Sequence, residues 1–151
     1  MATIITGHSE KYNIHVAYLD DDRFVGARVA NDTYEPFESD LFLSYLEVNS
    51  VVLDIGANIG FHSLLASKKV LPTHGRIYAF EPGQENFGLL TKNKELNHCE
   101  QLELVNSAVG ESDGTSQLFI SSDNRGDHRI YESKDEARKT EPIQVRSIDS
   151  F

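Results

Sequence analysis

The chain has 151 residues, 39% hydrophobic and 25% charged, enough apolar material for one core and too little length to favour two domains. Its 14 Lys+Arg against 24 Asp+Glu leave a net charge of −10, which repels a phosphate backbone or an anionic membrane and argues against nucleic acid as a partner. The single cysteine, Cys99, excludes an internal disulfide or a thiolate metal cluster, and no run approaches the roughly 18 apolar residues of a membrane span. Met1 to Thr6 has neither the basic nor the full apolar segment of a secretory leader, so a cytoplasmic location is expected. Ile14, Val16 and Tyr18 alternate, Asp20-Asp21-Asp22 makes an acidic turn, and Phe24 to Val29 returns; this predicts a β-hairpin over 12–30, within an extension spanning 1–33. Pro36 suits an early helical position, and Leu41, Phe42, Tyr45 and Leu46 share one face, which predicts a helix over 36–47 at the start of a main domain spanning 34–151.

Ser50 to Ile55 is a short, nearly continuous apolar run, the pattern of a strand covered on both faces in a parallel sheet. A helix follows Gly60, with Phe61, Leu64 and Leu65 inward and Leu71-Pro72 as its stop, and Arg76 to Phe80 completes a β-α-β unit. A further helix is predicted over 84–97, with Phe87, Leu89 and Leu90 turned inward, then a third strand over Leu102 to Val109. Ser116 to Ile120 and Ile143 to Ile148 read as strands around the polar stretch Ser121 to Glu141, a hairpin with a long loop.

The strongest chemical signal is Asp54-Ile55-Gly56-Ala57-Asn58-Ile59-Gly60-Phe61, where the first core strand turns into a helix. Two glycines four apart permit a tight turn and close approach of a ligand to the main chain, and the helix start presents free N–H groups. A dinucleotide fingerprint would want glycine where Asn58 and Phe61 stand, and no Gly-Lys-Ser/Thr follows for a phosphate loop. The turn therefore suits the carboxylate and amine of an amino-acid-like ligand, with Asp54 as the anion facing the amine. Glu81, before Pro82, closes the second strand at the same crevice, where its carboxylate can accept hydrogen bonds from a ribose diol. One adenosine-bearing ligand satisfies both motifs. Plainer readings go to the other polar residues: Glu35 as an exposed helix-start carboxylate, Tyr34 as packing, His62 as a neighbour of the site, and Asp127-His128 as a solvated loop pair, so that no catalytic residue is named. His8, His15, His74 and His98 lack metal-ligand spacing, and no metal is predicted.

Val52 to Phe61, Ala79-Phe80-Glu81-Pro82, Asn97 and Asn106-Ser107-Ala108-Val109-Gly110 together resemble the FkbM family of S-adenosylmethionine-dependent methyltransferases. Tyr34-Glu35-Pro36 and Gly126-Asp127-His128-Arg129 resemble further segments of that family, so the likeness covers about 34–151. The resemblance implies an α/β, three-layer Rossmann-like class I methyltransferase sheet, incomplete at the C-terminus, because the family's Ile-Asp-Val-Glu-Gly-like strand would follow Phe151. It implies S-adenosylmethionine with its methionine portion at Asp54, Gly56, Ala57, Asn58, Gly60 and Phe61, its ribose at Glu81 and its adenine near Ser107 and Ala108. It also implies O-methylation of a small-molecule acceptor, a sugar or natural-product hydroxyl. With the neighbouring strand absent, Val51 to Ile55 is expected at an open edge that invites self-association. The competing expectations are a non-catalytic nucleoside-binding or interaction module and, disfavoured by Asn58 and Phe61, a nicotinamide-dependent oxidoreductase.

Overall fold

A computed structural model describes residues 2–70, 74–132 and 138–151. The N-terminal hairpin pairs β1 (Ile4–Ser9) with β2 (Ile14–Leu19) antiparallel, from Ile4 opposite Leu19 to Ser9 opposite Ile14. Ile14, Val16 and Tyr18 are therefore in a strand as predicted, but the expected return over Phe24 to Val29 is instead a short helix, α1 (Gly26–Ala30). Asp22 is the reason: its buried carboxylate accepts the N–H groups of Phe24 and Val25 at Oδ1 and of Gly26 at Oδ2, closing a turn that feeds the helix. Gly26 then lies on Tyr18, where a Cβ would sit 2.2 Å from the tyrosine Cβ. Ile14, Val16, Leu19, Val25 and Val29 belong to the main core rather than to a separate one.

Helix α2 (Pro36–Tyr45) starts at its proline as expected, yet of the predicted inner face Leu41 and Tyr45 are exposed, and Ser39, Phe42, Leu43 and Leu46 turn to the core. Lys69 Nζ on the Leu43 carbonyl, at 2.7 Å, ties this helix to α3 (Phe61–Val70). Strands β3 (Val51–Ile55), β4 (Arg76–Phe80) and β5 (Leu102–Val105) form a parallel sheet in that order, linked through α3 and α4 (Gln84–Leu96), a Rossmann-like α/β unit. Ile77, Ala79 and Phe80 of β4 and Leu102 of β5 are fully buried. The predicted stop of α3 at Leu71-Pro72 lies outside the described residues.

β3 is not covered on both faces. Val52 is buried, but Val51, Leu53 and Ile55 are 66%, 39% and 56% exposed, and among the described residues the strand is the sheet's edge, paired with β4. Phe151, after the short helical turn Ile148–Ser150, packs edge-on against Tyr78 and Phe80 with ring centroids 5.2 and 5.0 Å away.

The strand predicted over Leu102 to Val109 is in fact two. Asn106 breaks it by donating its side-chain N–H to the carbonyls of Glu81 and Pro82, and β6 (Ala108–Gly110) leaves for a second sheet. There it pairs parallel with β8 (Lys139–Ser147), which pairs antiparallel with β7 (Gly114–Ile120), the hairpin with a long loop that the sequence predicts. α4 also serves the N-terminal hairpin. Asn93 accepts the Ala17 N–H and donates to the carbonyls of Ala17 and Ile59, while Asn97 accepts from and donates to His15, so two side-chain amides stand in for a strand beside β2.

Candidate functional site

The turn between β3 and α3 is built on three left-handed residues. Gly56 has φ +77°, its N–H and that of Ala57 both reach the Phe80 carbonyl at 2.9 Å, and nothing lies within 4 Å of where a Cβ would stand. Asn58, at φ +53°, turns its backbone N–H onto Glu81 Oε2 at 2.8 Å and uses its side-chain oxygen for the Ile59 N–H. Gly60, at φ +92°, leads into α3, and a Cβ there would lie 2.4 Å from Leu90 Cδ1. Gly56 thus leaves open space above the main chain, whereas Gly60 answers to packing against α4.

Glu81 is only 4% exposed, and both carboxylate oxygens are engaged: Oε2 by Asn58, Oε1 by the Gly83 N–H at 2.8 Å. Burial pushes its carboxyl above the ordinary glutamate range, and these two N–H groups oppose the shift without cancelling it. Each carboxylate oxygen retains a second lone pair for a hydroxyl donor.

Glu81, Gly56 and Asn58 form one wall of a cavity of about 440 Å³. Pro82, Ala108, Val109 and Leu118 make an apolar wall, and the loop 125–131 closes a third side. Gly56 and Asn58 also border a smaller cleft of about 50 Å³, lined further by Asp54, Ala57, Phe61, His62 and Tyr34 together with Val25 and Ile59. Asp54 Oδ2 accepts the Ser63 hydroxyl at 2.6 Å. Burial and the neighbouring Glu35 carboxylate push the Tyr34 hydroxyl up to about 12, so it stays protonated at neutral pH. Of the nine residues singled out from sequence, Gly56, Asn58, Glu81 and Ala108 meet at the larger cavity, and Asp54, Ala57 and Phe61 join Gly56 and Asn58 at the cleft. Gly60 and the buried Ser107 border neither.

The loop after β7 contributes what residue-by-residue reasoning missed. The Arg125 carbonyl accepts from the side-chain amides of Asn58 and Asn86, at 3.0 and 3.2 Å, and its guanidinium bridges Glu85 and Asp21 at 2.8 and 2.9 Å. The signal for Asn86 was available: it lies on the buried stripe of α4 with Leu89, Leu90 and Asn93, where a polar side chain needs a partner. Asp127 binds Arg129 and Arg138, and hydrogen bonds from Arg138 first and Arg129 second hold its carboxyl below the usual range. It makes no pair with His128. The His128 Nδ1 instead accepts the Ser121 N–H at 3.2 Å, which leaves the ring proton on Nε2, and burial pushes its pKa down. In that tautomer Nε2 presents a hydrogen-bond donor, and the basic lone pair on Nδ1 is engaged by the Ser121 N–H.

Among known proteins, the profile of the Methyltransferase FkbM domain matches residues 54–151. An FkbM methyltransferase from Methylobacillus flagellatus KT is similar in structure, with TM-score 0.45 and 17% identity over 85% of this chain and 34% of that one. A protein from Pyrococcus horikoshii assigned as a transferase gives TM-score 0.50 and 20% identity over 70% of this chain and 37% of that one. The tRNA m1G37 methyltransferase of M. jannaschii gives TM-score 0.49 and 20% identity over 71% and 29%. The chain thus spans about a third of the length of these solved structures. None of the curated proteins compared matches it.

Proposed function

The chain belongs to the FkbM methyltransferase domain family, and we propose that it holds S-adenosylmethionine between the Gly56–Asn58 turn and Glu81 as the cofactor-binding part of an O-methyltransferase. The observation that carries this reading is the convergence of Gly56 and Glu81 on one cavity of about 440 Å³, within the size range of small-molecule sites. The residues present fit such a ligand. The open space above Gly56 admits a ligand against the main chain, Glu81 retains lone pairs for a ribose diol, and Pro82, Ala108, Val109 and Leu118 offer an apolar surface to a purine. Asp54 at the smaller cleft supplies the counter-charge for an amino group.

When bound, S-adenosylmethionine supplies an electrophilic methyl group. The chain's own part is to bind and orient: Glu81 grips the sugar, the turn fixes the amino-acid end, and the loop 125–131 shields the cavity from water. Positioning accounts for much of the rate in such transfers. We read 34–151 as the cofactor-binding unit and 1–33 as a hairpin extension that shares its core. The acceptor we propose is a small hydroxylated molecule, a sugar or natural product, because the charge of −10 opposes a nucleic acid. No described helix is long and apolar enough to cross a membrane, and the lone, free Cys99 suits the reducing cytoplasm. The exposed β3 edge supports association of this chain with itself.

A second reading, a nucleoside-binding module without turnover, is favoured by Asp127 being held by two arginines and by the Nε2–H tautomer of His128. Titration calorimetry with S-adenosylhomocysteine, followed by a methyl-transfer assay, separates the two. Binding supports both, and turnover by residues 1–151 alone would exclude the second.

A further inference from the structure

Among the described residues a second large cavity, of about 450 Å³, shares Arg125 and His128 with the first and takes the rest of its lining elsewhere. Its charge differs. The first cavity sets Glu81 and Asp127 against Arg125 and Arg129, whereas the second sets Glu85 against Arg125, Arg138 and Lys139. Two of these cations are held in place by carboxylates. Asp21 and Glu85 bracket the Arg125 guanidinium at 2.9 and 2.8 Å, and Asp127 Oδ2 accepts from Arg138 Nη2 at 2.7 Å, with the Arg138 side chain only 3% exposed. Glu85 and Asp21 take two of the five N–H donors of Arg125, which leaves others for a ligand. Lys139 makes no ion pair among the described residues. The strand register aims it inward. Lys139 stands opposite Ile120 and Glu141 opposite Leu118, so these four side chains share one face of the β7–β8 ribbon. Leu118 is buried on that face, and Glu141 Oε1 accepts the Gln84 N–H at 3.1 Å, so the face looks onto the first turn of α4, where Glu85 stands.

Resting on the methyl-transfer reading, we propose that this second cavity seats the methyl acceptor by a compact oxyanion, a phosphate or a carboxylate, held by Lys139 and Arg125. Guanidinium and ammonium groups make charge-assisted hydrogen bonds to such oxygens. The cavity's volume is in the range of small-molecule sites, so the hydroxyl-bearing body of the acceptor fits with its anion. Arg125 and His128 border both cavities, so a molecule anchored at Lys139 has its other end beside the cofactor. The chain's net charge of −10 opposes any anion at long range, and the cations fixed in this lining offset that repulsion where the oxyanion sits.

The experiment titrates the whole 151-residue chain, labelled with nitrogen-15, with inorganic phosphate, glucose 6-phosphate, glucuronate and glucose at constant ionic strength, with and without S-adenosylhomocysteine. The amides of Ser122 and Lys139 should shift and saturate with glucose 6-phosphate or with glucuronate, which names the oxyanion, and stay still with glucose. Lys139→Gln should weaken that ligand about fivefold, and Lys92→Gln, the same charge change at an exposed position of α4, should leave it within about twofold. S-adenosylhomocysteine should bind Lys139→Gln as it binds wild type and should not displace the anion. Saturation by neither sugar anion, an equal loss in the two variants, or displacement by S-adenosylhomocysteine would overturn the inference while leaving the cofactor reading intact. Inorganic phosphate binding as tightly as the sugar anions would assign the cavity to free phosphate and overturn its tie to an acceptor. Anion binding by a chain that does not bind S-adenosylhomocysteine would overturn the cofactor reading instead.

Discussion

Replacing Glu81 should damage the protein twice, and the two effects can be measured apart. In Glu81→Ala the N–H groups of Asn58 and Gly83 lose the carboxylate oxygens that each hold them at 2.8 Å. An orphaned buried donor costs about 1–3 kcal/mol, and the cavity lets water relieve part of that, so a stability loss of about 2–4 kcal/mol is expected in urea titration. The sugar also loses a charged acceptor, worth about 1.5–3 kcal/mol, or roughly ten- to a hundredfold in the affinity for S-adenosylhomocysteine. Calorimetry under conditions where circular dichroism shows the variant folded isolates the second effect. A folded Glu81→Ala that binds as wild type does would refute the role of Glu81. The raised pKa adds a signature in pH. Because burial lifts the folded value above that of the unfolded chain, the native state holds the proton more tightly. Stability from this group is fully present below the unfolded value near 4.5 and is lost as pH rises through the folded value. Glu81→Gln should abolish that slope, and an identical pH dependence in wild type and Glu81→Gln would contradict it.

Other predictions test the neighbouring parts. Gly56→Val should lower ligand affinity at least tenfold, because a β-branched residue is strained at φ +77° and fills the open space above the turn; calorimetry reads it. Nitrogen-15 spectra of the imidazoles should show His128 neutral at pH 6.5 with its proton on Nε2, and a ring protonated on Nδ1 at that pH would restore it as a candidate base. Light scattering should find wild type self-associating, with Leu53→Lys shifting it to monomer, since Leu53 is on the exposed edge strand.

What could be read in the sequence follows from where local chemistry decides. The unit from β3 to α4 has apolar periods, a glycine turn and an acid at a strand end that all agree, and, apart from the stop of α3, which lies outside the described residues, its elements fall within a residue or two of their predicted bounds. The misreadings occur where a side chain far along the chain, or a capping carboxylate, overrides the pattern. Phe24 to Val29 alternates well enough for a strand until Asp22 collects three N–H groups. Leu102 to Val109 looks continuous until Asn106 turns away to two carbonyls at the end of β4. Ser50 to Ile55 lies at the sheet edge as expected, but its apolar content reads as cover on both faces where Val51, Leu53 and Ile55 are exposed. In the site, Gly56 and Glu81 announce themselves by type and place, whereas Arg125 acts through its carbonyl, which no side-chain pattern reveals.

The central claim is that one adenosine-bearing ligand lies between the glycine turn and Glu81. Its most direct test is a titration of nitrogen-15-labelled protein with S-adenosylhomocysteine, and separately with NAD, followed at the backbone amides. The account predicts that the amides of Gly56, Asn58 and Gly83 shift and saturate with S-adenosylhomocysteine and stay still with micromolar NAD, whose fingerprint wants glycine where Asn58 and Phe61 stand. Saturating shifts confined to other residues, or NAD saturating these same three amides, would contradict it.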